Sequence, residues 1–175
     1  MQLYEKYVTE TVDEKTGRLT KIDFHIPDDF NFGFDVVDFW GKNTPDKTAL
    51  LWVGEHHEEK KFTFSDMMRL TNKTANYFRS LGIKKGDRVM LILRRHYQFW
   101  FSIVALHKIG AIVIPATDQL MKKDLVYRFN LAGVSAVVIS STGSIVDEAE
   151  KAFEQCDVKT KILVGASRDG WHDFD

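Results

Sequence analysis

The chain predicts an α/β fold, a mostly parallel sheet flanked by helices, with an N-terminal arm and a hairpin ahead of it. Three observations carry that expectation. Short apolar runs at Val89–Leu93, Ala111–Ile114 and Ala136–Ile139 alternate with segments of helical period, the pattern of parallel strands joined by crossover helices. Glycines stand where the helices should stop, at Gly82, Gly110 and Gly133, where a left-handed residue closes the last turn. A fourth apolar run, Lys161–Val164, follows another amphipathic stretch, so successive βαβ units of right-handed crossover are expected.

Residues 1–30 sustain no period, although Leu3, Tyr7 and Val8 could face inward on a short helix. They are expected to form an arm across a body, and 31–175 a partial α/β domain. In Phe32–Trp40, the residues Phe34, Val37, Asp38 and Phe39 suggest an amphipathic helix, ended at Thr44-Pro45 because a residue before proline avoids helical angles. Thr48–Val53 and Lys61–Phe64 read as strands of a hairpin with a charged connection,. Ser65 is the expected cap of the next helix, with Asp66 in its first turn. Its apolar side is read as Met68, Leu70 or Thr71, Ala75, Phe78 and Leu81,.

Gly86-Asp87 turns the chain into Val89–Leu93. Helical period then runs over His96–Ile109, with Trp100, Ile103, Val104 and His107 on the expected inner side. Ala111–Ile114 stops at Pro115, Lys122–Leu131 is helical, and Ser144–Gln155 forms a further amphipathic helix. The tail from Gly165 is read as loop without a closing element.

Composition narrows the function. A net charge of −1 gives no electrostatic case for nucleic acid,. The single Cys156 excludes an internal disulfide or a cysteine-based zinc site,. No run reaches the ~20 apolar residues of a membrane span. An acidic, amphipathic start without a secretory apolar core leads to the expectation of a cytoplasmic protein.

Candidate chemistry is sparse. Neither G-x-G-x-x-G nor G-x-x-x-x-G-K-[ST] occurs,. Ser140–Ser144 lies between a strand and a helix start, where free N–H groups favour anions; a plain capped turn is the blander and preferred reading. His56-His57-Glu58-Glu59 has metal-friendly side chains, but neighbours in a tight turn diverge, so a solvated tip is expected and no metal site. His96 and His107 lie too far apart on one helix to share an ion. Cys156 sits near a helix C-terminus, which does not favour a thiolate. Tyr97, Phe99, Trp100 and Phe101 could line an acyl tunnel, with ordinary core the commoner fate. The loop Pro115–Leu120, carrying Thr117, Asp118 and Gln119 at the C-terminal edge of a strand, is a candidate binding loop.

The wording of these segments resembles the N-terminal region of AMP-binding (adenylate-forming) acyl-CoA synthetases, in the acetyl- and medium-chain branch. The matching elements are Pro45-Asp46-Lys47-Thr48-Ala49-Leu50, Thr63-Phe64-Ser65-Asp66-Met67 and Leu81-Gly82-Ile83-Lys84-Lys85-Gly86-Asp87-Arg88-Val89. Trp100, Gly110-Ala111-Ile112-Val113-Ile114-Pro115 and Asp124-Leu125-Val126-Tyr127-Arg128 follow, then Gly170–Phe174. The resemblance implies an acid–thiol ligase that joins a carboxylic acid to CoA through an acyl-adenylate, with ATP, Mg and CoA as cofactors of the full-length enzyme. A role in fatty-acid metabolism goes with it. Gln119 matches a glutamine on the CoA path of the family, which makes it the carried-over CoA contact.

The family's Ser/Thr/Gly-rich phosphate loop and catalytic lysine are missing from these residues. The chain is therefore expected to be an N-terminal fragment, inactive alone and without catalytic residues of its own. Rival expectations are a free-standing CoA- or nucleotide-binding module and a ligand-free structural domain. Self-association is also expected, because a cut α/β domain leaves uncovered edges.

Overall fold

The computed structural model describes residues 2–175. A 3-10 turn at Leu3–Lys6 leads into an antiparallel hairpin, β1 (Val8–Val12) and β2 (Leu19–Phe24). The expected arm thus contains a second, unforeseen hairpin. The alternation Val8, Glu10, Val12 is interrupted by charge, and a register shift at Thr11/Val12 masks the pairing. Tyr7 at its base is buried and meets the Phe30 ring edge-on.

Asn31 starts the next segment by accepting from the amides of Gly33 and Phe34, while its own amide donates to the carbonyls of His107 and Lys108. The first turns, Phe32–Asp38, have the wider π-type bonding, and α1 (Phe39–Asn43) continues them. Val37 and Asp38 face inward as read, but Phe34 is half exposed. Hairpin β3 (Thr48–Val53) and β4 (Glu59–Thr63) falls where expected.

Helix α2 (Phe64–Ser80) begins two residues earlier than a cap at Ser65 would place it. Thr63 is the cap: its hydroxyl accepts from the Asp66 amide at 3.1 Å, and the Asp66 carboxylate accepts from the Thr63 amide, also at 3.1 Å. Two otherwise orphaned donors are satisfied together.

The main sheet holds β5 (Arg88–Ile92), β6 (Ile112–Pro115), β7 (Ala136–Ser140), β8 (Thr160–Val164) and β9 (His172–Asp173) in the order β6-β5-β7-β8-β9, all parallel. Helices α3 (Gln98–Ile109), α4 (Lys122–Ala132) and α5 (Ile145–Phe153) make the crossovers. Period-two alternation sorts the strand residues. Met90, Ile92, Val137, Ile139 and Leu163 pack under α4 and α5. Val89, Leu91, Val138, Ile162 and Val164 pack under α2 and α3. Both faces are covered, so the strands read as unbroken apolar runs.

Two further readings change. The tail closes the sheet with β9, and Phe174 packs on Tyr77 and Phe78. In α3, Trp100 points outward while Phe101, Ser102, Ala105 and Lys108 are buried. A helix wrapped by α2, the sheet and the first helical turns has more than one inner face, which a single periodic stripe misrepresents.

Candidate functional site

The chain reverses direction across the sheet at β5. After β5 it crosses by α3 to β6; it then returns over the opposite face by α4 to β7, on the other side of β5. The loops following β5 and β7 therefore diverge, and their carboxyl ends frame a crevice, the usual ligand position in an open α/β sheet. A cleft of about 270 Å³ lies there,. Its walls are the loop Arg94–Tyr97, Thr142 after β7, and the hairpin tip at Glu55 and His56.

The hairpin is clamped over the cleft by specific contacts. Trp52 Nε1 donates to the Arg95 carbonyl at 2.5 Å. Lys60 Nζ donates to the Tyr97 hydroxyl at 3.0 Å, and Phe62 packs between Tyr97 and Phe101. Tyr97 and Phe101 thus join the hairpin to α3, while Trp100 of the same aromatic cluster is exposed.

Charge in the cleft is mixed. Arg94 reaches Glu55 at 3.2 Å and Asp118 at 3.7 Å, joining the hairpin tip to the loop after β6. That loop is held at both ends: the Ala116 amide donates to the Leu91 carbonyl, and Leu120 is buried under α4 and α5. Between these anchors Gln119 is exposed, with its backbone N–H donating to Thr117 Oγ1 at 3.3 Å. A flexible side chain on a fixed loop at the carboxyl edge is well placed to meet a ligand.

The other candidates separate. At Ser140–Ser144 the first turn of α5 already carries Asp147 and Glu148, so acids of the chain itself compensate the helix dipole. His56 and Glu58 form a turn in which the His56 amide donates to the Glu58 carboxylate, and His57 takes a positive φ of 64°. Among the described residues no group of three or more His, Cys, Asp or Glu could hold a metal ion. Cys156 lies by the Val126 carbonyl, and burial pushes its thiol up. His96 precedes α3 rather than lying on it and joins the cleft wall, while His107 stays at the far end of the helix. The paired Arg94-Arg95 after β5 was overlooked in the sequence; basic residues directly behind the first parallel strand were the available signal.

Burial lowers the His96 imidazole pKa, against the pull of Asp175 and Glu55, and burial alone lowers that of His107. The unfolded chain therefore binds these protons more readily than the folded one. Stability should be fully present above the ordinary histidine value of about 6.5 and decline as pH falls through the lowered folded values. Chemical denaturation across that window is expected to show the decline, and His107→Gln should flatten part of it. An unchanged slope in that variant would remove His107 from the account.

Comparison with known proteins adds a separate finding. Residues 37–173 match the family model described as AMP-binding enzyme. The mitochondrial acyl-coenzyme A synthetase ACSM1 of Mus musculus is 38% identical over 161 residues, covering 87% of this chain and 28% of that protein. The mitochondrial acyl-coenzyme A synthetase ACSM5 of Rattus norvegicus is 34% identical over 157 residues, covering 85% and 27%. Among solved structures, acetoacetyl-CoA synthetase from Streptomyces lividans superposes with a TM-score of 0.74 at 20% identity, covering 88% of this chain and 26% of that one. A benzoate CoA ligase from Burkholderia xenovorans LB400 gives 0.66 at 18% identity, over 83% and 27%. The chain spans little more than a quarter of the curated relatives it matches.

Proposed function

The chain belongs to the AMP-binding enzyme family, and from that premise we propose that it is the N-terminal α/β portion of an acyl-CoA synthetase. The complete enzyme joins a carboxylic acid to the CoA thiol at the expense of ATP, through an acyl-adenylate. The observation that carries this reading is the family match over 37–173 together with 38% identity to an acyl-coenzyme A synthetase. The fixed loop presenting Gln119 beside the switch-point cleft supports a place for CoA at this edge.

In this proposal the 175 residues supply one wall of the CoA path and a rigid platform. ATP and its Mg would be held by parts of the enzyme outside them, since the sequence has no glycine-rich phosphate loop and the described residues include no acidic cluster suited to a metal. The chain alone is then inactive as a ligase. The substrate is a carboxylic acid, and a role in fatty-acid metabolism belongs to the proposal from the sequence resemblance, since the relatives' names say only acyl-coenzyme A. A cytoplasmic location belongs to the proposal from the sequence, whereas the relatives are named as mitochondrial; fractionation of the native cells decides between them. Self-association is proposed as well, on the large apolar side chains left exposed on the N-terminal hairpin and at Ile112 of the edge strand β6.

Calorimetric titration of the chain with CoA and, separately, with ATP tests the reading. CoA should give a weak signal that Gln119→Ala reduces about tenfold, the worth of one good polar contact. ATP should give none. Sub-millimolar ATP binding, or acyl-CoA formation by the chain unaided, would defeat the proposal and favour a free-standing nucleotide module.

A further inference from the structure

The N-terminal hairpin stands apart from the body. Its substantial contacts are between its own strands and with the 3-10 turn before it. A two-stranded sheet is marginal in water by itself; three or more strands with an apolar face are the stable unit. This hairpin has such a face without the strands to go with it. Val8, Ile22 and Phe24 share one side of the register, interrupted only by Glu10 opposite Ile22, with Val12 and Leu19 paired at its turn end. Four of the five are exposed, Phe24 by 69%.

The edges are not equivalent. The His25 amide donates to the Tyr7 carbonyl, so by alternation Asp23 turns its backbone toward β1 while Ile22 and Phe24 turn theirs outward. The outer edge of β2 therefore offers the N–H and C=O of Ile22. If two copies pair there about a two-fold axis normal to the sheet, facing residues lie on the same side, and only whole-residue centres are allowed. Centring on Lys21 sets lysine against lysine, and centring on Asp23 sets aspartate against aspartate. Centring on Ile22 places Ile22 opposite Ile22 and each Lys21 opposite the other copy's Asp23. Lys21 and Asp23 already pair along their own strand at 2.8 Å, so the four charges would alternate around the axis. The β1 edge lacks this match, since its middle residue is Glu10, and like charges directly opposite repel.

We propose that the outer edge of β2 is a homodimerisation surface, at which a second copy of this chain pairs antiparallel about Ile22 to give a four-stranded sheet. The inference stands on the hairpin alone and is independent of the enzyme family. The interface is an edge rather than a broad face, so the dimer is weak.

Sedimentation equilibrium of the full chain over a range of concentrations should show a monomer–dimer equilibrium. Lys21→Glu places acid against acid, and Asp23→Lys places base against base; each variant alone should weaken the dimer about tenfold or more. Mixing the two variants in equal amounts should restore it as a heterodimer. The glutamate introduced in the first variant then faces the lysine introduced in the second, and the native Asp23 of the first faces the native Lys21 of the second. Misfolding of a variant hairpin could imitate the first result but not the restoration. A chain that stays monomeric at every concentration overturns the proposal, as does a dimer indifferent to both reversals or a mixture that fails to associate.

Discussion

Replacing Asp38 by alanine should lower the unfolding free energy by about 3–5 kcal/mol, the usual cost of leaving one member of a buried ion pair alone. Lys108 is a charged residue in a core position: its side chain is 1% exposed and its ammonium lies 2.6 Å from Asp38 Oδ1. It also donates to the Asn72 side chain at 2.7 Å. One lysine thus ties three elements together, the first helical turns, α2 and α3. Gly33 completes the fit, because a Cβ there would lie 2.4 Å from Lys108 Cγ.

Burial pushes the Lys108 ammonium below the ordinary lysine range, with Asp38 pulling the other way. Desolvation outweighs attraction, so the pair organises the packing more than it stabilises it. The unfolded chain holds this proton more firmly, and stability should rise with pH over the interval just below the ordinary lysine value. Urea titrations of Asp38→Ala and Asp38→Leu, of Lys108→Met and of the double variant Asp38→Leu with Lys108→Met decide the matter. Each single change should be costly and the apolar pair should recover much of the loss. Additive losses in the double variant would show that the two groups act independently.

Phe78→Ala should cost a comparable 3–5 kcal/mol, about the range for emptying a well-packed phenylalanine site. Phe78 is fully buried where α2 meets the sheet, among Ala75, Ile83, Val89, Leu91 and Leu106. It also touches the chain's end through Phe174, with ring centroids 6.2 Å apart, while the adjacent Tyr77 hydroxyl donates to the Asp173 carbonyl. The variant should therefore lose protection first at β9, visible by hydrogen exchange, before the central strands β5 and β7. Phe78→Leu should cost less, since the smaller void collapses more readily. Equal exchange at β9 in variant and parent would separate the two effects.

Much of the sheet was legible because its signal is local. Runs such as Val89–Leu93 and Ala136–Ile139 are apolar on both faces only when helices cover both, and Gly110 and Gly133 adopt the positive φ that their stop positions demand. The cap of α2 was misplaced by two residues because Thr63 and Ser65 are both chemically suitable, and only the reciprocal bond with Asp66 selects Thr63. The candidate site was half legible. Gln119 and its loop lay in view as polar residues after a strand. Arg94, His96, Thr142 and the hairpin tip did not, since nothing in their spacing along the chain indicates that three separate loops converge.

From sequence by itself came the order of elements, the parallel character of the sheet, the helix stops and the family wording of the segments. Each depends on neighbours within a few turns or on residue patterns repeated in order. Tertiary structure alone decided which sides of α3 are inner, that Lys108 is buried against Asp38, that the tail returns as β9, and that the loops after β5 and β7 meet the hairpin tip over one cleft. Those features depend on surfaces brought together from distant parts of the chain. Local periodicity reports whether a residue faces a surface and is silent on which surface meets it.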